Sequence, residues 1–197
     1  MATEQSPNLN ECRSMPEAEV TLRLALWLLD RSVKGTHADV AIDGAHIRIR
    51  AHEQAGKRIE ERIVFDIRGF LSDNKCNPER LKDEWRGTYS YDRHGVTIKS
   101  GMGFDVRVRC DGKEIKAECK GGPLQPTREQ VKVIFATAVL QVILCGSEGE
   151  SEELWVAVPD SHVYEDVGRQ ILKSPIFSRT GIRIALVGKT GVRLLAA

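Results

Sequence analysis

Apolar and polar positions alternate on both sides of an Asp-Gly pair in the run GFDVRVRCDGKEIKAECK, residues 103–120. A period of two predicts half-buried strands, and Asp-Gly supplies the positive φ values that a two-residue type I′ turn requires, so the stretch reads as a hairpin. A turn at Asp111-Gly112 sets Cys110 opposite Lys113, Val108 opposite Ile115, Val106 opposite Ala117, Asp105 opposite Glu118 and Phe104 opposite Cys119. One face is then apolar: Phe104, Val106, Val108, Cys110, Ile115, Ala117 and Cys119. The other carries Asp105, Arg107, Arg109, Glu114, Lys116, Glu118 and Lys120.

Upstream, residues 1–14 are polar and without period, which predicts a loose tail. Residues 16–33 predict a helix, with Ser14 as a cap and Glu17 and Glu19 in its first turn. Its apolar residues lie nearly all round, so it is either heavily buried or shared with a partner, which points to a homodimer. Residues 37–42 and 45–50 flank a second Asp-Gly turn and predict another hairpin. Residues 53–62 are charged and ambiguous between helix and loop, 63–67 predict a strand, 77–85 a short helix, and 88–99 a hairpin. This β-rich stretch, about 36–100, either holds the first core strand plus an insertion that grips substrate or a second subunit, or belongs wholly to one extended sheet.

Downstream, Gly121-Gly122-Pro123 breaks the strand and Thr127 with Gln130 forms a capping-box pattern, opening a helix to about residue 144. A strand at 154–158, a helix at 161–173 and a strand at 182–187 follow. Hairpin, helix, strand, helix, strand implies a mixed sheet flanked by helices, because parallel neighbours need a crossover. The fold class is α/β, with residues 15–197 as one domain.

Composition adds limits. A chain of 197 residues, 41% hydrophobic and 29% charged, suits a water-soluble domain with a full core. A net charge of +1 gives no global field for nucleic acid, so any electropositive surface must be local. Arg107, Arg109 and Lys116 are candidates, with a solvated mixed-charge strand face as the other reading. Five cysteines with no metal-type spacing suggest reduced thiols and a cytoplasmic location, and no apolar run reaches the length of a membrane span. Gly188-Lys189-Thr190 lacks the earlier glycine of a phosphate loop, since Arg183 stands there, and reads as a hairpin turn.

The chemistry concentrates on the hairpin's polar face. Two carboxylates set opposite each other repel, and a hard divalent cation such as Mg²⁺ or Mn²⁺ is the commonest reason to place them so. A lysine beside them can orient a nucleophile or stabilise a phosphorane-like transition state. Asp105, followed after twelve intervening residues by Glu118-Cys119-Lys120, resembles the D…ExK core of the PD-(D/E)xK phosphodiesterases. The order of elements after Lys120 resembles that superfamily as well. The resemblance implies a restriction endonuclease-like sheet and a Mg²⁺- or Mn²⁺-dependent nuclease, with DNA ahead of RNA as substrate. It implies Asp105, Glu118 and the backbone carbonyl of Cys119 as metal ligands and Lys120 as the catalytic cation. Some branches add an acidic ligand from the first helix; Glu19 is the candidate, against an ordinary i, i+4 pair with Arg23. Phe104 replaces the proline of the family's name, and Ile134 stands where the RecB-like branch has tyrosine. The alternatives are a binding or assembly module that keeps the fold without turnover, and an unrelated α/β protein whose hairpin carries surface ion pairs.

Overall fold

The computed structural model describes residues 14–43, 51–54, 57–60, 65–101, 103–146 and 151–196. The central hairpin forms in the expected register. Strands β8 (Val106–Cys110) and β9 (Lys113–Cys119) pair Val106 with Ala117 through Cys110 with Lys113, and Asp111 and Gly112 take φ values of 51° and 77°. Around it runs one nine-stranded mixed sheet. It includes β2 (His37–Ala41), β5 (Cys76–Leu81), β6 (Gly87–Tyr91), β7 (His94–Lys99), β11 (Glu152–Pro159), β12 (Arg183–Val187) and β13 (Val192–Leu194), in the order β13-β12-β11-β9-β8-β2-β7-β6-β5. β9, β11 and β12 run parallel, as does β2 with β7, and the remaining neighbours are antiparallel.

The β-rich stretch before the hairpin is therefore built mostly into the main sheet, with β2 lying directly against β8. A two-stranded ribbon, β3 (Ala51–Gln54) with β4 (Lys57–Glu60), stands outside that sheet, so residues that read as helix or loop are strands. Both edges of β2 are taken, by β7 and β8; the second arm of the expected Asp43-Gly44 hairpin lies outside the described residues. The helix expected at 77–85 is instead β5 as far as Leu81, followed by a bend over 82–85. Asn-Pro-Glu resembles a helix start, but β5 is the outermost strand, where Pro78 needs no ladder N–H, and pairing with β6 prevails with a register shift at Pro78/Arg80. Of the strand expected at 63–67, Ile63 and Val64 lie outside the described residues. Ile67 opens helix α2 (Ile67–Asp73), capped by Asp66, whose Oδ1 accepts from Gly69 N–H at 3.0 Å.

Helix α1 (Glu17–Leu29) stops at Asp30 and starts at Pro16. Ser14 is not its cap: Ser14–Met15 form a short strand, β1, paired with β10 (Gly122–Pro123). The all-round apolarity of α1 is satisfied inside the chain. Ten of its residues are buried, Val20, Leu22, Leu24, Ala25 and Leu29 completely, in a core shared with β2, β8, β9 and α2. The reason for expecting a partner on α1 is thus removed.

The other sheet face holds a second core. Helix α3 (Arg128–Cys145) begins with the expected capping box, Gln130 N–H donating to Thr127 Oγ1 at 3.3 Å and Thr127 N–H to Gln130 Oε1 at 2.9 Å. Val131, Phe135, Ala138 and Val142 of α3 pack with Tyr164 and Val167 of α4 (His162–Leu172), Phe177 of α5 (Pro175–Ser178), and β11 and β12. This second core takes no residue from β2 or β5 to β9, so the same face of those strands is polar, with Asp39, Thr97, Lys99 and Arg107. The opposite side of α3 exposes Val133, Leu140, Ile143 and Leu144. No helix among the described residues is long and apolar enough to cross a membrane.

The contrast between α1 and α3 is testable by urea unfolding. Leu24→Ala should cost about 2–5 kcal/mol, as for other completely buried leucines. Leu144→Ala, on the exposed side of α3, should change stability by less than about 0.5 kcal/mol.

Candidate active site

The ladder between β8 and β9 ends at Val106, and residues 103–105 bend away from it. This corrects two expectations. Asp105 is not a rung opposite Glu118: its backbone N–H donates to Ala117 O at 3.0 Å, and its side-chain Oδ2 accepts the Cys119 N–H at 2.7 Å. The carboxylate takes the place of the next main-chain acceptor. Phe104 does not share the face of Val106; the bend carries it to the second core, beside α3 and β11. Asp105 is further fixed by its carbonyl, which accepts Ala41 N–H at 2.8 Å.

Glu118 is almost fully buried, 4% exposed, and Lys120 Nζ donates to its Oε1 at 2.7 Å. Lys120 also faces Glu17 Oε2 at 3.4 Å. The first helix therefore does contribute a carboxylate, but it is Glu17. Glu19 makes the ordinary pair instead, with Arg23 Nε and Nη2 both 2.8 Å from its Oε1. The cause is a close backbone approach. β10 pairs with β1 just before α1, and any side chain at Gly121 would collide with the backbone of Pro16 and Glu17. Glycine there lets the end of β9 touch the first residue of the helix, so Glu17 reaches Lys120 while Glu19, two residues on, points elsewhere. The signal was present in the sequence: two glycines directly after the E-x-K triplet, and an acidic residue at the helix start.

Three carboxylates and one ammonium thus share a poorly solvated corner. Burial first, and the charge of Glu118 second, push the Asp105 carboxyl up to about 7. Glu118 is raised too, because burial outweighs its hydrogen bond from Lys120. Burial alone would lower Lys120, yet the bond to Glu118 and the charges of Glu118, Glu17 and Asp105 raise it, so it stays an ammonium. Cys119, completely buried, faces α1, and burial raises its thiol well above the usual range, so its side chain is an inert core thiol.

Among the described residues no three His, Cys, Asp or Glu side chains converge closely enough to hold a metal ion. The donor set is of another kind. Asp105, Glu118 and the Cys119 carbonyl are all hard oxygen donors, a set suited to an ion that binds one or two carboxylates and keeps most of its shell as water, as Mg²⁺ does. Burial, with neighbouring carboxylate charge second, raises both carboxyls, and such an ion would offset both effects.

Of the basic candidates, Arg109 is exposed and Arg107 lies with its Nε 3.8 Å from Glu114. Lys116 does not present its charge outward. It is 7% exposed and tied to Glu152 at 2.6 Å and Glu114 at 3.5 Å. Strand alternation assigns it the polar face correctly, but β11 carries Glu152 alongside and covers it. No protein-family model, curated protein or solved structure matches the chain.

The charge crowding predicts a pH dependence. Because the folded-state pKa of Asp105 lies above its unfolded value of about 4, the native state binds the extra proton between those values, and stability must fall as pH rises from about 4 to about 7. Asp105→Asn should remove that slope and melt several degrees higher than wild type at pH 7 in the absence of divalent metal. Thermal melts of both proteins across this range check it; a lower melting temperature for the variant at pH 7 would mean the charged carboxylate is net stabilising.

Proposed function

We propose that the chain is a metal-dependent phosphodiesterase that hydrolyses nucleic acid, DNA ahead of RNA. The observation that carries this reading is the convergence of Asp105, Glu118 and Lys120 at one end of the sheet, with Glu17 as a fourth member. Asp105 and Glu118, with the carbonyl of Cys119, would hold a divalent cation. Such an ion, when bound, supplies charge neutralisation and polarisation of the scissile phosphate.

The protein's own groups do the rest. Main-chain and side-chain hydrogen bonds fix Asp105 from three directions, which preorganises the carboxylate pair. Lys120 is held between Glu118 and Glu17 and favours its protonated form, so it acts as a cation and hydrogen-bond donor. In that state it orients the attacking water and stabilises negative charge developing on the phosphate oxygens. On the polar face beside the site, Lys99 is paired with Asp39 at 2.9 Å and Arg107 lies 3.8 Å from Glu114, while the exposed Arg109 stands nearer the hairpin turn, where it could meet a phosphate backbone running along β8.

A second reading, an assembly module without turnover, is favoured by the exposed Val133, Leu140, Ile143 and Leu144 of α3. Cleavage of plasmid DNA with Mg²⁺ or Mn²⁺ separates the two. Asp105→Ala and Lys120→Ala should each reduce the rate by about 10²–10⁴ while leaving the fold intact. Glu17→Gln should slow it by about tenfold, and Glu19→Gln should leave it unchanged. Wild-type rates in Asp105→Ala or Lys120→Ala would overturn the nuclease assignment.

A further inference from the structure

β9 runs from the carboxylate corner to an unrelated feature at its other end. A cavity of about 270 Å³ opens between the C-terminal part of α1 and the first residues of β9, β11 and β12. Two of the chain's three tryptophans line it, Trp27 and Trp155, with ring centroids 6.5 Å apart and planes inclined at 56°. Leu28, Ile115, Leu194 and Cys110 complete its apolar walls. Each indole carries a guanidinium: Arg31 stacks 3.9 Å above Trp27, and Arg183 lies 5.5 Å from the ring of Trp155.

The mouth is organised by one carboxylate. Glu153 accepts from Lys113 at 2.7 Å, from Arg183 at 2.9 Å and from the Trp155 indole N–H at 3.0 Å. One acidic group thus holds two cations and an aromatic ring in place. Arg31 adds a third cation; its Nη1 donates to the Trp27 carbonyl at 3.2 Å, and among the described residues no carboxylate pairs with it. Asp111 also lines the cavity, so the three cations exceed Glu153 and Asp111 by one charge.

These features select a ligand chemistry. Indole faces take a planar ring by stacking, and guanidinium groups bind phosphate through paired N–H donors. The volume lies just below the usual range of ligand sites, about 300–1,000 Å³, so it takes one base with the sugar and phosphate at the open mouth and has no room for a dinucleotide cofactor. We propose that the cavity beside Trp27 binds a nucleoside monophosphate, its base against the half-buried Trp27 indole above the buried Trp155 and its phosphate on Arg31 and Arg183. The same chemistry is offered by a free nucleotide and by the unpaired phosphorylated end of a strand. The assignment does not rest on the phosphodiesterase reading, since the two sites share no residue.

Tryptophan fluorescence reads this site directly. AMP titrated into the full-length protein should give saturable quenching, retained in Trp85→Phe, because Trp85 is not in the cavity wall. Arg31→Ala, at an exposed position, should fold normally and bind AMP about threefold to tenfold more weakly, the loss of one exposed cation–phosphate contact. Adenosine and inorganic phosphate should each bind more weakly than AMP. Displacement of AMP by a 5′-phosphorylated single strand would identify strand ends as the source, and failure to displace it would identify the free nucleotide. Absence of saturable quenching at millimolar AMP, unchanged affinity in Arg31→Ala, or phosphate binding as tightly as AMP would each overturn the proposal.

Discussion

Crowding of buried carboxylates around a single lysine is the constraint from which the rest of this structure follows. Asp105 and Glu118 would both ionise readily in water, yet here burial raises both carboxyls, with the charge of Glu118 adding to the rise at Asp105 and that of Glu17 to the rise at Glu118. A fold retains such an arrangement only if neighbouring elements hold it in place. The bend at 103–105 does so for Asp105, spending its side chain on the Cys119 N–H and its main chain on β9 and β2. The Gly121 contact does so for Glu17, by pressing the start of α1 against the end of β9. Both devices lie at one end of the sheet, at the limits of β8 and β9.

Packing explains why this end can stay polar. The two apolar cores occupy opposite faces of the sheet, one under α1 across β2, β8 and β9, the other under α3 and α4 across β11 and β12. Glu118 and Lys116 point from β9 toward the second side, where Val156 and Leu154 are their neighbours on β11. Lys116 is consequently buried and must be paired, which Glu152 and Glu114 accomplish. Glu118 meets the same demand through Lys120. Within a strand that looks like a row of exposed charges, Lys116 and Glu118 are buried and ion-paired.

Much of this was legible in the sequence because it depends on local rules. The Asp-Gly turn set the register of β8 and β9, Thr127 and Gln130 marked the start of α3, and apolar runs located β11 and β12. What was not legible depends on long-range contact. Nothing near Asn77-Pro78 announces that the segment is an edge strand, since that depends on β6 lying beside it. Alternation assigned Phe104 to the wrong core because a bend interrupts the period at Asp105. Glu17 was passed over for Glu19 because the choice between them is made by Gly121, about a hundred residues away in the chain. The apolar circumference of α1 suggested a partner, but the chain supplies sheet, α2 and the terminal hairpin to cover it.

Whether the carboxylate corner is a metal site is the central question, and calorimetric titration of Mn²⁺ into the wild type and into Glu118→Gln answers it most directly. The account predicts heat from binding in the wild type, accompanied by a rise in melting temperature, and the loss of both in the variant. An absence of heat and of any thermal shift at millimolar metal, or equal binding by the two proteins, would contradict it.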